Sequence, residues 1–434
     1  MTRLGARTLA GAVLVGALTV AAGAGGASAA PADPGAYRTA PGAERAQGGA
    51  STATAGALAV GGTYEDSLGP AEERFYRLEL DADSSVYVSA TVLPGPGAAV
   101  SYADGIDVVL MSTGGRECTT AGQAGFAADQ ARPLAAVAVR RLQEDGECQT
   151  AGPYYVKVTR STGKESDRGR WPMELRVMRE PARAGGNAPA AGPTAYPSAP
   201  VAAPAGTPVP RAGGTGFNDA RALAAGVWRD DLVPGQTRFY RVPVDWGQQL
   251  DLSVELSGAR MTKTSGYASN GLVAEVYNPV RGQVADKSGF YDGKQLSLAL
   301  GPLAPVRYEN RFSDVRAIRP LRAAGWHYVA VTLHRKVGEF TTGSVPVLLR
   351  VGLEGTRAEG PGYAEPDAAA AGFGVTPADL RAAAEGQTAA EATAAADDRA
   401  VLRVVAAGGI GTGTVLLLGL GAWTLLARRR PAGG

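Results

Sequence analysis

The chain has 434 residues, with 43 basic against 41 acidic side chains and a formal net charge of +2, a balance too even to point to nucleic acid as a partner. Two histidines and two cysteines leave little material for metal or histidine-dependent chemistry, and the length admits more than one domain. Arginine far outnumbers lysine and Ala, Gly and Pro are abundant, the bias expected of a GC-rich, actinobacterial-type genome.

The N-terminus carries Arg3 and Arg7, then an apolar stretch from Leu9 to Ala22, then Ala27-Ser28-Ala29. A positive region, an apolar region and a small-x-small site spell a secretory signal peptide over 1–29, followed by a disordered stretch over 30–47. The first folded unit is expected at 48–181. Within it Val86, Val88, Ala90 and Val92 alternate with Tyr87, Ser89 and Thr91, the pattern of a strand with one buried face. Cys118 and Cys148 lie in hydrophilic, loop-like sequence, and an exported chain permits them to form a disulfide.

Residues 182–212 are almost wholly Ala, Gly, Pro, Ser and Thr, which predicts an extended spacer unable to build a core. Beyond it the first unit repeats. Gly62-Thr-Tyr-Glu-Asp66-Ser-Leu68 and Arg74-Phe75-Tyr76-Arg77 return as Gly226-Val-Trp-Arg-Asp230-Asp-Leu232 and Arg238-Phe239-Tyr240-Arg241. Leu250, Leu252, Val254 and Leu256 repeat the alternating strand; Gly325-Trp-His-Tyr-Val329-Ala-Val331-Thr332 repeats Gly152-Pro-Tyr-Tyr-Val156-Lys-Val158-Thr159. The second unit is expected at 213–355. Short strands between Gly, Pro, Asp and Ser turns, without an amphipathic helix, predict antiparallel β-sandwiches.

An acidic, Ala-rich stalk follows over 356–403, in which Thr376-Pro377 reads as an N-cap and first helical residue of a marginal helix from about 377 to 400. Val404 to Ala427 is an apolar run longer than the ~20 residues that span a ~30 Å hydrocarbon core. Arg428-Arg429-Arg430 after it places the tail, 428–434, in the cytoplasm. The expected topology is a single-pass plasma-membrane protein with its N-terminus outside. Gly409 and Gly413 form a Gly-x-x-x-Gly pair that would suit a weak dimer in the membrane.

The repeated pattern, from the Gly-x-Tyr/Trp start through Arg-Phe-Tyr-Arg to Gly-x-x-Tyr-Val-x-Val-Thr, resembles the bacterial pre-peptidase C-terminal domain, a small jelly-roll-like β-sandwich. The resemblance covers the ends of both units and leaves 94–150 and 258–324 as long insertions. It implies an accessory or binding module and brings no catalytic residues. The fold class expected is therefore all-β: two tandem jelly-roll-like sandwiches, a signal peptide and one C-terminal transmembrane helix.

His327 shares strand parity with Val329 and Val331 and reads as a core residue, while His334 lies beside Arg335 and Lys336 at a surface corner. No catalytic, cofactor or metal site is assigned; a calcium site at Asp81, Asp83, Asp104 and Asp107 has clustered oxygens but no recognised loop spacing. Arg307, Arg311, Arg316, Arg319 and Arg322 form the densest positive patch outside the membrane, a candidate surface for an exported protein or an anionic envelope polymer. The functional expectation is a non-catalytic cell-surface protein presenting two binding modules, the alternatives being a membrane-anchored hydrolase or a purely structural stalk.

Overall fold

The computed structural model describes residues 36–428, apart from 120, 127–128, 144–145 and 186–190; the side chains of 401–415 and 426–428 are also left undescribed. The expected signal peptide and residues 429–434 of the tail lie outside the described residues.

The first module contains β1 (Glu44–Arg45), β2 (Gly56–Leu58), β3 (Thr63–Leu68), β4 (Glu73–Leu80), β5 (Ser85–Val92), β6 (Gly105–Ser112), β7 (Gly122–Gly125), β8 (Leu134–Arg140), β9 (Gly152–Ser161) and β10 (Trp171–Glu180). The second contains β11 (Val209–Pro210), β12 (Arg221–Ala222), β13 (Gly226–Leu232), β14 (Thr237–Val244), β15 (Gln249–Leu256), β16 (Ala268–Tyr277), β17 (Gln283–Tyr291), β18 (Leu296–Ala299), β19 (Gly325–Leu333) and β20 (Val345–Glu354). In the first module the sheets run β1-β3-β10-β5-β8 and β2-β4-β9-β6-β7. In the second they run β11-β13-β20-β15-β18 and β12-β14-β19-β16-β17, the same order strand for strand. Setting aside the short parallel edge strands, each module is eight antiparallel strands that switch sheet at every connection but the β6–β7 and β16–β17 hairpins, as in a jelly roll.

Each module closes over its own core. Leu68, Tyr76, Val88, Val108, Val156 and Leu175 meet inside the first, and Leu232, Tyr240, Leu252, Val276, Val329 and Leu349 inside the second. The repeated residues are structural. Tyr76 and Tyr240 each donate a hydroxyl hydrogen bond to Asp66 and Asp230 at 2.7 Å, and each aspartate also accepts from the backbone of Gly48 or Gly213. A Cβ on either glycine would come within 2.7 or 2.8 Å of the tyrosine ring, which explains why neither carries a side chain. The Cys118–Cys148 disulfide is formed, tying the chain after β6 to the loop before β9.

The expected insertions are corrected by the sheets: 94–150 holds β6, β7 and β8, and 258–324 holds β16, β17 and β18, all integral strands. In β8 and β16 the sequence hides the period of two because both faces are covered. β8, Leu-Ala-Ala-Val-Ala-Val-Arg, has six of its seven residues buried, and β16 has eight of its ten.

The modules also pack on each other, through different sheets. The outer face of β10-β5-β8 lies against the outer face of β14-β19-β16. Ala135 of β8 joins Phe217, Phe239, Tyr277, Tyr328 and Ala330, while Tyr87, Val139 and Met178 meet Val280, Ala323 and Phe373. Hence Tyr87, Ser89 and Thr91, expected to face solvent, are 1%, 2% and 0% exposed.

Three flanking segments are corrected for the same reason, since each borrows burial from the modules. In the expected disordered stretch, Tyr37 hydrogen-bonds Glu174 and Glu44–Arg45 pairs with β3. The expected free spacer lies along the second module. Its Pro193, Pro197 and Pro204 carbonyls accept from Ser313, Gln249 and Arg350. In the stalk, Phe373 is buried against Tyr87 with ring centres 6.0 Å apart. The helix expected at 377–400 is two: α1 (Pro377–Glu385), with the Thr376 capping box in place, ends at the left-handed Gly386, and α2 (Ala389–Arg428) follows.

Among the described residues no helix is long and apolar enough to cross a membrane. The run Val404 to Ala427 belongs to α2, and its first part, with Gly409 and Gly413, falls in the stretch whose side chains are undescribed.

Candidate functional site

The seam between the modules is lined with charge. Arg132 after β7 holds Glu275 of β16 through two bonds of 3.0 Å, with both side chains 4% exposed or less. Glu174 of β10 pairs with Arg281 of the β16–β17 turn and also accepts from Tyr37, the Ala40 amide and Asn218. Glu180, at the end of β10, accepts Arg311 Nη1 at 3.0 Å and Nη2 at 2.6 Å, and the hydroxyls of Tyr87 and Tyr363 at 2.7 Å each. Burial pushes the Glu180 carboxyl up, but Arg311 and the two tyrosines outweigh it and hold it below the usual carboxylate range. Sequence reasoning missed these acids. The available signal was a charged residue inside an apolar strand run, as in Met173-Glu174-Leu175 and Ala274-Glu275-Val276.

The five arginines of the expected patch separate. Arg311 is 1% exposed and belongs to the seam, which corrects its assignment to a surface patch; a residue paired this deeply is closed to outside partners. Arg307 is exposed and lines a cleft of about 590 Å³ with Arg183, Trp246, Tyr308, Glu309 and Glu359. Arg316 is exposed. Arg319 donates through Nε to the Ser313 carbonyl at 2.8 Å, and Arg322 lies over the Tyr87 ring at 5.2 Å. Arg141, from the first module, joins these last residues: it donates to the Arg311 carbonyl and lies 5.7 Å from the Phe312 ring centre. Burial, with Arg322, Arg311 and Arg319 close by, pulls Arg141 below the ordinary guanidinium value; burial does the same to Arg322.

Asp81 and Asp104 serve their own turns. Asp81 accepts from Ser84 and the Asp83 amide, and Asp104 from Ser101, Ser166 and the Gly163 amide. Among the described residues no group of three or more His, Cys, Asp or Glu side chains comes together. His327 is fully buried, its Nδ1 at 3.3 Å from the Gly325 carbonyl, and burial pushes it down to about 4. His334 is occupied at both nitrogens, by Asp129 and by the Lys336 amide, each at 3.1 Å.

No family model matches the chain, and no curated protein matches it. Among solved structures, it is similar to the pre-peptidase C-terminal domain of collagenase from Bacillus anthracis at 15% identity, covering 28% of this chain and 91% of that one, with a TM-score of 0.18. It is similar to the ANX1 ectodomain from Arabidopsis thaliana at 10% identity, covering 71% and 92%, TM-score 0.18. The CBM22-1-CBM22-2 tandem domain of Paenibacillus barcinonensis Xyn10C matches at 13% identity, covering 74% and 100%, again with a TM-score of 0.18. Scores this low carry no argument, and the sandwich assignment rests on the strand order.

Proposed function

We propose that this is a single-pass plasma-membrane protein, N-terminus outside, which presents two pre-peptidase C-terminal-like sandwiches as one rigid, non-catalytic binding unit. The observation that carries the anchoring is the end of α2. Leu416, Leu417, Leu418, Leu420, Trp423 and Leu425 are each at least 60% exposed and point all round the helix, an arrangement suited to lipid rather than to a protein groove. A binding role follows from where the chain spends its reactive groups: both histidines are committed to the fold, while Arg307, Arg316 and Arg319 remain exposed. The partner is an exported protein or an anionic envelope polymer.

Deleting Val404 onward should move the chain from the membrane fraction into the medium, where it serves as bait for extracellular partners. A truncated chain that stays in the membrane fraction would contradict the anchor, and bait that retains no envelope component or exported protein would leave a structural stalk as the better reading.

A further inference from the structure

We infer that Arg141, Arg319 and Arg322, gathered at the module seam around the Arg311–Glu180 pair, form a binding site for a phosphate group. The inference deepens the binding role proposed above by naming the chemistry that the seam would capture.

The charge count is the first support. Four guanidiniums gather here by contact. Arg141 donates to the Arg311 carbonyl, Arg322 lies over the Tyr87 ring whose hydroxyl bonds Glu180, and Arg319 donates to the Ser313 carbonyl two residues beyond Arg311, while Glu180 is the carboxylate paired with Arg311. Glu180 has nothing left to give. A carboxylate offers about four lone-pair positions, and Arg311, Tyr87 and Tyr363 supply four donors. Asp314, 3.6 Å from Arg319, is fully exposed and offsets little.

Orphaned donors are the second support. The Nε atoms of Arg141 and Arg322 are buried without a hydrogen-bond partner, which is costly for a charged donor. So are six other arginine Nε atoms among the described residues, but these two lie in one cluster. Arg141 spends its Nη atoms on the Arg311 carbonyl and Gln143. Solvent reaches the cluster at the Arg319 side chain, 46% exposed, and at the partly exposed Arg322, while the two orphaned Nε atoms lie beneath. A planar guanidinium matches phosphate through paired donors, and three of them suit a dianion better than a single carboxylate. Arg141 comes from the first module and Arg319 and Arg322 from the second, so a bound phosphate would bridge the seam.

The test is titration of the full-length protein in detergent with inorganic phosphate at constant ionic strength, chloride being the control, read by calorimetry and by the melting temperature. Saturable binding with a rising melting temperature is expected. Arg322→Gln and Arg319→Gln should each weaken binding about tenfold or more, the loss expected for one charge-assisted contact, while Arg316→Gln, outside the cluster, should leave it unchanged. Should Arg322→Gln fail to fold, Arg319→Glu keeps the question decidable: it supplies a carboxylate in place of the ligand and should fold while losing the phosphate response. Parallel titrations with a phosphodiester polymer and with phosphatidylglycerol in the micelle identify the source by whichever binds more tightly than phosphate itself. A melting temperature that follows ionic strength alone, or a wild-type response in Arg319→Glu, overturns the site. Either failure leaves the anchoring reading intact, since fractionation of the truncated chain reads that separately.

Discussion

The two sandwiches have the same strand order but bury opposite outer faces. In the first, β5 is buried along its whole length; in the second, its counterpart β15 keeps Asp251, Ser253 and Glu255 partly exposed. The converse holds for the other sheets. Phe239 and Tyr328 of the second module lie in the seam, whereas Phe75 and Tyr155, their counterparts in the first, sit half-buried beside Lys157 and Glu73 on an open face. Topology therefore does not decide which face is a surface. The residues placed on each face do, and the chain has packed its copies head to tail, an arrangement in which unlike faces meet.

The sharpest break of this comparison is at the end of the matched strands β10 and β20, where Glu180 and Glu354 are equivalent. Glu180→Ala strands Arg311 in the seam and should cost about 3–5 kcal/mol in chemical denaturation, as for other buried pairs broken on one side. Phe239→Ala should cost a similar ~3–5 kcal/mol, against roughly 1 kcal/mol for Phe75→Ala on the open face. Replacing both cysteines with serine should cost about 3.7 kcal/mol, the chain-entropy value for a disulfide across a separation of 30 residues, and should weaken the first module rather than the second.

Acid should act on the two copies unequally as well. His327 stands where the first module has Tyr154, and its folded value of about 4 lies below the 6.5 of an ordinary histidine. A depressed histidine resists protonation when folded, so stability falls as pH drops from about 6.5 to about 4, by ~3 kcal/mol in all. His327→Tyr should remove that slope from a denaturation series. Glu180, depressed by its partners, contributes stability above the ordinary carboxylate range that is lost on further acidification. The smallest effect should come from Glu354→Ala, within about 0.5 kcal/mol of wild type.

Much of the fold was legible in the sequence because the end strands of each repeat keep apolar and polar residues in alternation, even β5, whose polar face is covered by the second module. Their alternation marks them, and Asp66–Tyr76 and Asp230–Tyr240 recur at fixed spacing. The middle strands were not legible, since β8 and β16 are covered on both faces and lose the period of two. The seam was invisible for a related reason: polar Ser89 and Thr91 look like surface until a second sheet covers them. For the arginine patch, composition located the charge, but only the fold shows that Arg311 is consumed by Glu180 and that Arg141, distant in sequence, takes its place beside Arg319 and Arg322.

The central claim, that buried Arg–Glu pairs lock two sandwiches into one unit, is tested most directly by scanning calorimetry of the full-length protein beside its Glu180→Ala variant. The account predicts one cooperative β-sheet transition for the wild type, with calorimetric and van't Hoff enthalpies in agreement, and two resolved transitions for the variant. Two independent transitions already present in the wild type, unchanged by the substitution, would contradict it.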